Sequence, residues 1–216
     1  MTNLEIVLEK IEKKRLQVNE HKIIKLVAVS KYSNSDDIVN LYKEGQRAFG
    51  ENRVQELKLK VDDLSDYPIE WHFQGVLQKN KINQLLSLNP FLIHSIESYD
   101  MAKEVDKRAT KKVSVLLQIN SSFEKSKSGI DPQMAVEEYL KIKEECINLQ
   151  LKGVMSIGAH SDDKNEIKKS FERTYKIFEA LNSHEATICS MGMSSDYELA
   201  IECGSNMLRL GSVIFK

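Results

Sequence analysis

The chain has 216 residues, 41% of them hydrophobic, and 31 basic residues against 32 acidic ones, for a net charge of -1. That length suits one domain spanning residues 1–216, with ample material for a single core. The balanced charge excludes a general pull toward nucleic acid or an anionic membrane.

The N-terminal stretch MTNLEIVLEKIEKKRLQ is charged throughout and has no apolar core of signal-peptide length. No segment approaches the ~20 apolar residues of a membrane span. Leu4, Val7, Leu8 and Ile11 fall on one face of an amphipathic helix in this stretch. Cys146, Cys189 and Cys203 are widely spaced and odd in number, as free thiols in a reducing compartment would be, so the expected location is cytoplasmic.

After the first helix a rhythm sets in. Short apolar runs rich in β-branched residues alternate with longer helical patterns. The runs read as strands are Lys25–Val29, Arg47–Gly50, Glu70–Phe73, Phe91–His94, Val113–Ile119, Leu151–Ile157, Thr187–Met191 and Asn206–Leu210. Ser35 is placed to cap a helix carrying Ile38, Leu41 and Tyr42 that ends at Gly45. Ser98 caps one with Met101, Ala102 and Val105, and Asp131-Pro132 opens another. Ile167, Phe171, Tyr175 and Phe178 form a stripe on a long helix, and a short one with Leu199 and Ala200 ends at Gly204. Alternating strands and helices imply parallel strands with crossover helices. Eight such units predict an α/β protein: a single (β/α)₈ TIM-type barrel with an extra N-terminal helix. An open doubly wound sheet is the competing architecture.

In a barrel, chemistry gathers at the C-terminal ends of the strands. Lys31 follows the first strand there. A lysine leaving a buried strand at the mouth is expected to be partly buried, which favours the neutral amine and its use as a nucleophile on an aldehyde. The plain alternative is a lysine that reaches to solvent. Gly211-Ser212 after the last strand, with Ser190, Gly192 and Ser194 after the seventh, offers backbone N–H groups and hydroxyls suited to a phosphate. Each also reads as an ordinary turn. Arg209 interrupts the apolar run NMLRLGSVIF, read as one final strand. It either pairs with a carboxylate outside the barrel or points inward at a ligand. Glu51, Arg53 and Glu56 are read as an ion-pair set on the loop after the second strand. The five histidines and three cysteines show no metal-ligand spacing.

The stretches LVAVSK (26–31), FGENRVQE (49–56), IEWHFQGVLQKNK (69–81), IHSIES (93–98), VLLQIN (115–120), KSKSGI (125–130), GVMSIG (153–158), SMGMSSDYELAIECGS (190–205) and RLGSVIF (209–215) resemble the YggS/PROSC family of pyridoxal phosphate homeostasis proteins, in the family's order along nearly the whole chain. That family is similar to the N-terminal barrel of alanine racemase, the type III fold of pyridoxal phosphate enzymes. The resemblance implies that pyridoxal 5′-phosphate is the cofactor and that Lys31 forms the internal aldimine. It also implies that Arg209 faces the pyridine nitrogen, and that Ser190, Ser194, Gly211 and Ser212 surround the phosphate with Met191 in the same loop. Asn52 and His72 would line the ring pocket. Val76 stands where many members carry histidine, and GVMSIGAHSDD is more polar than usual.

A guanidinium stays protonated, so Arg209 would leave the ring a weak electron sink. The racemases compensate with a second base, a tyrosine from outside the barrel core, and the nearby candidates here are Tyr32, His72, His94 and His160. The expectation is a monomer that binds and buffers the cofactor without robust turnover, with cofactor-requiring apo-enzymes as possible recipients. A weak amino-acid racemase and a barrel for an unrelated phosphorylated ligand are the competing readings.

Overall fold

A computed structural model describes residues 1–124 and 128–215. The eight strands are β1 Lys25–Val29, β2 Ala48–Glu51, β3 Glu70–Phe73, β4 Leu92–Ile96, β5 Val113–Ile119, β6 Leu149–Ser156, β7 Ile188–Ser190 and β8 Met207–Leu210. Each pairs in parallel with the next, and β8 pairs with β1, closing the barrel. Closure settles the architecture against the open sheet.

The helices are α1 Asn3–Val18, α2 Ser35–Lys43, α3 Val54–Asp63, α4 Ile82–Ser87, α5 Tyr99–Arg108, α6 Ala135–Glu145, α7 Lys164–Ala180, α8 Tyr197–Glu202 and α9 Ser212–Phe215. Side chains alternate across each strand, so two cores form. A small one inside the barrel holds Val27, Ala48, Leu92, Leu116, Met155 and Met207. A large one lies between the strands' outer faces and the helices.

Strands β1, β3 and β5 have the predicted bounds. The bounds of β4 and β6 shift, and both strands carry a register change, between Ile93 and Ile96 and opposite Val115–Leu116. In α1, Leu4, Val7 and Ile11 are buried, whereas Leu8 is exposed. Asn34, not Ser35, caps α2, in a reciprocal capping box with Asp37. Asp131-Pro132 forms a turn ahead of α6 rather than its first turn, because Met134 N–H already bonds the Asp131 carbonyl.

β8 stops at Leu210, the predicted end of the last strand, but the apolar run to Phe215 does not continue it: Ile214 and Phe215 both donate to the Gly211 carbonyl, winding residues 212–215 into the turn α9. That turn places Ser212 at the barrel mouth, at the start of α9.

Candidate functional site

Strand β1 delivers Ser30, fully buried, and then Lys31, which is exposed. The Lys31 ammonium lies 5.0 Å from the centroid of the Tyr32 ring, itself 92% exposed. The expected partial burial of Lys31 is therefore absent, because the chain turns outward at the very residue that leaves the strand. The residue lies just past the C-terminal end of β1, in contact with solvent.

Arg209 comes from β8, the neighbour of β1, in register with Val27. It is 5% exposed, and its guanidinium points into the barrel. One terminal nitrogen donates to Ser190 Oγ at 2.7 Å and the other to the Ser156 carbonyl at 2.8 Å. Burial pushes its pKa down to about 10, opposed by the charge of Asp196. Among the described residues it forms no ion pair, so the reading of an outward arginine matched to a carboxylate fails. A guanidinium has five N–H donors, and two are spent here.

The loops after β7 and β8 meet beside Arg209. Ser190 is fully buried and serves Arg209. Met191 is fully buried in the outer core, and its N–H donates to Ser205 Oγ and the Met207 carbonyl, so it holds the loop in place. Gly192 has φ +96°, and a Cβ there would come within 2.8 Å of Ala200. Its carbonyl accepts from Arg209 N–H. Ser194 Oγ accepts from Gly211 N–H at 3.2 Å and ties the two loops together. Ser212 is exposed and begins α9, whose first N–H groups precede any carbonyl the helix can supply.

His72 and His94 are fully buried on β3 and β4, with His72 Nδ1 2.8 Å from His94 Nε2. One proton links them. Burial pushes His72 down to about 3, with Lys25 adding to the effect. His94 lies well below the usual imidazole range, through burial first and then the charges of His72, Arg209 and Lys25. The outer nitrogens, His72 Nε2 and His94 Nδ1, have no hydrogen-bond partner. Neither ring is free to act as a base at the mouth. His160 is exposed, its backbone N–H on Glu124. Asn52 is exposed on the loop after β2 and lines a cavity of about 420 Å³ with Arg53, Gln78 and Lys81, on the β2–β3 side of the mouth.

The predicted set of Glu51, Arg53 and Glu56 does not form. Glu51, fully buried, pairs instead with Lys60 of α3 at 2.6 Å, while Arg53 faces solvent. Lys60 is the functional candidate that the sequence reading missed. Its signal was present: with Val54 and Leu57 it continues an i, i+3, i+6 row on the buried face of α3. Of the KSKSGI stretch, Lys125, Ser126 and Lys127 lie outside the described residues. No group of three or more histidine, cysteine or acidic side chains among the described residues could hold a metal ion.

Residues 6–216 match the family model of the alanine racemase N-terminal domain. A pyridoxal phosphate homeostasis protein of Helicobacter pylori is 50% identical over 216 residues, covering 99% of this chain and 96% of that one. The human protein of the same name is 37% identical, over 88% of this chain and 75% of its own length. Among solved structures, PipY of Synechococcus elongatus with PLP bound has a TM-score of 0.82 at 30% identity, covering 96% of this chain and 99% of that one. Alanine racemase of Corynebacterium glutamicum shares the fold, with a TM-score of 0.75 at 15% identity over 98% of this chain and 60% of the enzyme.

Proposed function

The chain belongs to the alanine racemase N-terminal domain family and, within it, to the pyridoxal phosphate homeostasis proteins, and from that membership we propose that it binds pyridoxal 5′-phosphate at the barrel mouth through Lys31. Its role is to hold and release the cofactor within the cell, in the cytosol, as a monomer, with apo-enzymes as recipients. The three unpaired buried thiols support a reducing compartment. No helix among the described residues is long and apolar enough to cross a membrane.

One observation carries the reading. Strands β1 and β8 are hydrogen-bonded neighbours, so an exposed lysine and the Arg209–Ser212 stretch leave the barrel side by side at the same end. The donor set fits the group. Arg209 brings buried cationic N–H donors, bonded to Ser190 Oγ and the Ser156 carbonyl, with the charge of Asp196 acting on it. Ser194 and Ser212 bring hydroxyls, and Gly211 has no Cβ to fill the space by Val29. Asn52 borders the mouth from the β2 side. Ser190 and Met191 act behind the contact, one holding Arg209 and the other the loop. His72 acts through His94, beneath Arg209.

When bound, the cofactor supplies an aldehyde that condenses with an amine and a ring that withdraws electrons. The chain's residues do the rest. Lys31 presents its amine. Arg209 remains protonated at neutral pH and keeps a positive N–H donor, rather than a proton acceptor, where the ring nitrogen would lie. This favours holding over turnover, since a protonated arginine cannot take on a proton. Of the candidate bases, the two buried histidines are kept neutral and bonded to each other, and His160 is exposed to solvent. Tyr32 remains, but it is nearly fully exposed, without a group to orient it as a base.

Borohydride reduction of protein incubated with pyridoxal phosphate, followed by intact mass and peptide mapping, tests the proposal. The expected result is one adduct, at Lys31, lost in Lys31→Ala with the thermal midpoint unchanged. An adduct that survives this substitution at full yield refutes it. Deuterium wash-in at Cα of alanine or serine tests the racemase alternative, and no exchange above the level of free cofactor is expected.

A further inference from the structure

Directly behind Lys31 lies a buried polar network that neither the family resemblance nor the cofactor requires on its face. Ser30 precedes Lys31 in the chain and is fully buried. Its N–H donates to the Gly50 carbonyl at 3.0 Å. Its hydroxyl donates to Glu51 Oε1 at 2.6 Å. Its carbonyl accepts from Lys60 Nζ at 2.7 Å, and the same ammonium reaches Glu51 Oε1 at 2.6 Å. Ser33 N–H also bonds the Ser30 carbonyl, closing the turn that carries Lys31. Three elements, β1, β2 and α3, thus converge on one small residue.

Stability is a weak reason for this arrangement. Taking two charges out of water costs about as much as their attraction returns, and a buried pair is often replaceable by apolar side chains without loss. Here Glu51 and Lys60 are 0% and 8% exposed, and Glu51 Oε2 has no partner at all. An oily pair would pack α3 on β2 as well. What an oily pair lacks is a hold on the Ser30 hydroxyl and carbonyl. With every polar atom of Ser30 bonded, the Cα of Lys31 has one place to be.

We infer that Glu51 and Lys60 are positioning residues, which act through Ser30 to fix where the Lys31 amine emerges and so set cofactor affinity. The inference rests on the reading of Lys31 as the cofactor-bearing lysine. Neither residue touches the cofactor; α3 is the strut, and the ion pair is its fastening to the Lys31 turn.

The test is the near-isosteric double variant Glu51→Gln/Lys60→Met, which removes both charges together and leaves no lone buried ion. Cofactor affinity is measured by absorbance titration, the adduct is mapped after borohydride, and exchange of the Ser33 amide is followed in cofactor-free protein. The expected result is a thermal midpoint at or above that of the wild type, faster Ser33 exchange, and affinity at least fivefold weaker. A folded double variant with affinity within fivefold of the wild type overturns the inference and leaves the proposed function standing. Wild-type protein that forms no Lys31 adduct overturns both. If the double variant does not fold, Ser30→Ala decides, because it removes the hydroxyl's bond to Glu51 and its long contact with the Gly50 carbonyl while leaving the Lys60 bond to the Ser30 carbonyl in place. At least a twofold loss is expected from it, and a smaller loss overturns the inference.

Discussion

Gly211 lies so close to Val29 that a Cβ on it would come within 3.1 Å of the Val29 carbonyl oxygen. The contact joins the end of β8 to the end of β1, the seam where the barrel closes. The obstacle is backbone, which has nowhere to rotate. Gly211→Val is therefore expected to push the two strand ends apart, lowering apo stability by about 1–3 kcal/mol, as overpacking usually does. Because the same seam separates Lys31 from Ser212, cofactor affinity should fall about tenfold, on the order of 1.4 kcal/mol. Urea unfolding and cofactor titration read the two effects separately, and unchanged affinity would detach the seam from binding.

Arg209→Met should separate binding from folding. The arginine is buried, and burial pushes its pKa down to about 10 against the opposing charge of Asp196. Replacing a buried cation with an apolar chain of similar length relieves a desolvation cost, although Ser190 Oγ and the Ser156 carbonyl each lose a donor. The expected midpoint of thermal unfolding is equal to or above that of the wild type, with cofactor affinity reduced at least tenfold. Arg209→Lys should not restore affinity, since an ammonium cannot reproduce two donors held in a fixed fork. Restoration by lysine would show that charge alone matters.

The histidine pair gives the fold an acid sensitivity of definite sign. His72 titrates near 3 in the folded chain, and His94 is also depressed. In the unfolded chain both approach 6.5. Above pH 6.5 neither state is protonated, and the dyad's contribution to stability is complete. As pH falls below 6.5 the unfolded chain takes up protons that the folded chain refuses. Stability then drops by up to about 1.4 kcal/mol per pH unit for each histidine. Urea midpoints between pH 7.5 and 4.5, above the range of most carboxylates, should show this slope. His72→Met/His94→Met should flatten it; an equally steep profile in that variant would assign the sensitivity elsewhere.

All three thiols should be silent in the native protein. Cys146, Cys189 and Cys203 are buried, and burial raises their pKa values to about 11, 12 and 11. A thiol-specific chromogenic reagent at pH 8 should label none before denaturant and three after. Rapid labelling of Cys189 without denaturant would mean that β7 opens locally in the folded state, since the thiolate is the reactive form.

The barrel was legible because its signal is repetitive. Eight apolar runs at regular intervals need no single boundary to be right: β1, β3 and β5 have the predicted bounds, and the ends of the other five strands move by at most two residues. Lys31, Arg209 and Gly211 stood out because each is an exception within an apolar strand or at its end. The burial of Lys31 was misjudged because a strand's pattern says nothing about the turn that follows it. Lys60 escaped because one lysine on a helix reads as a solvated face until the helix is docked. The Glu51 pairing escaped with it, since Arg53 and Glu56 are nearer in sequence and Lys60 is nearer in space.

Closure of β8 onto β1 has a consequence for how the protein is made. Lys31 and residues 209–212 are separated by nearly the whole chain, and the pairing of β8 with β1 brings them to the same end of the barrel. A nascent or partly unfolded chain can therefore own Lys31 without owning the site proposed for it. If the cofactor binds there as proposed, its capture would report that the barrel has shut, and a ligand that recognises only the shut form pulls the folding equilibrium toward it. On that proposal, loading and maturation would become one event, with the seam between first and last strand as its latch.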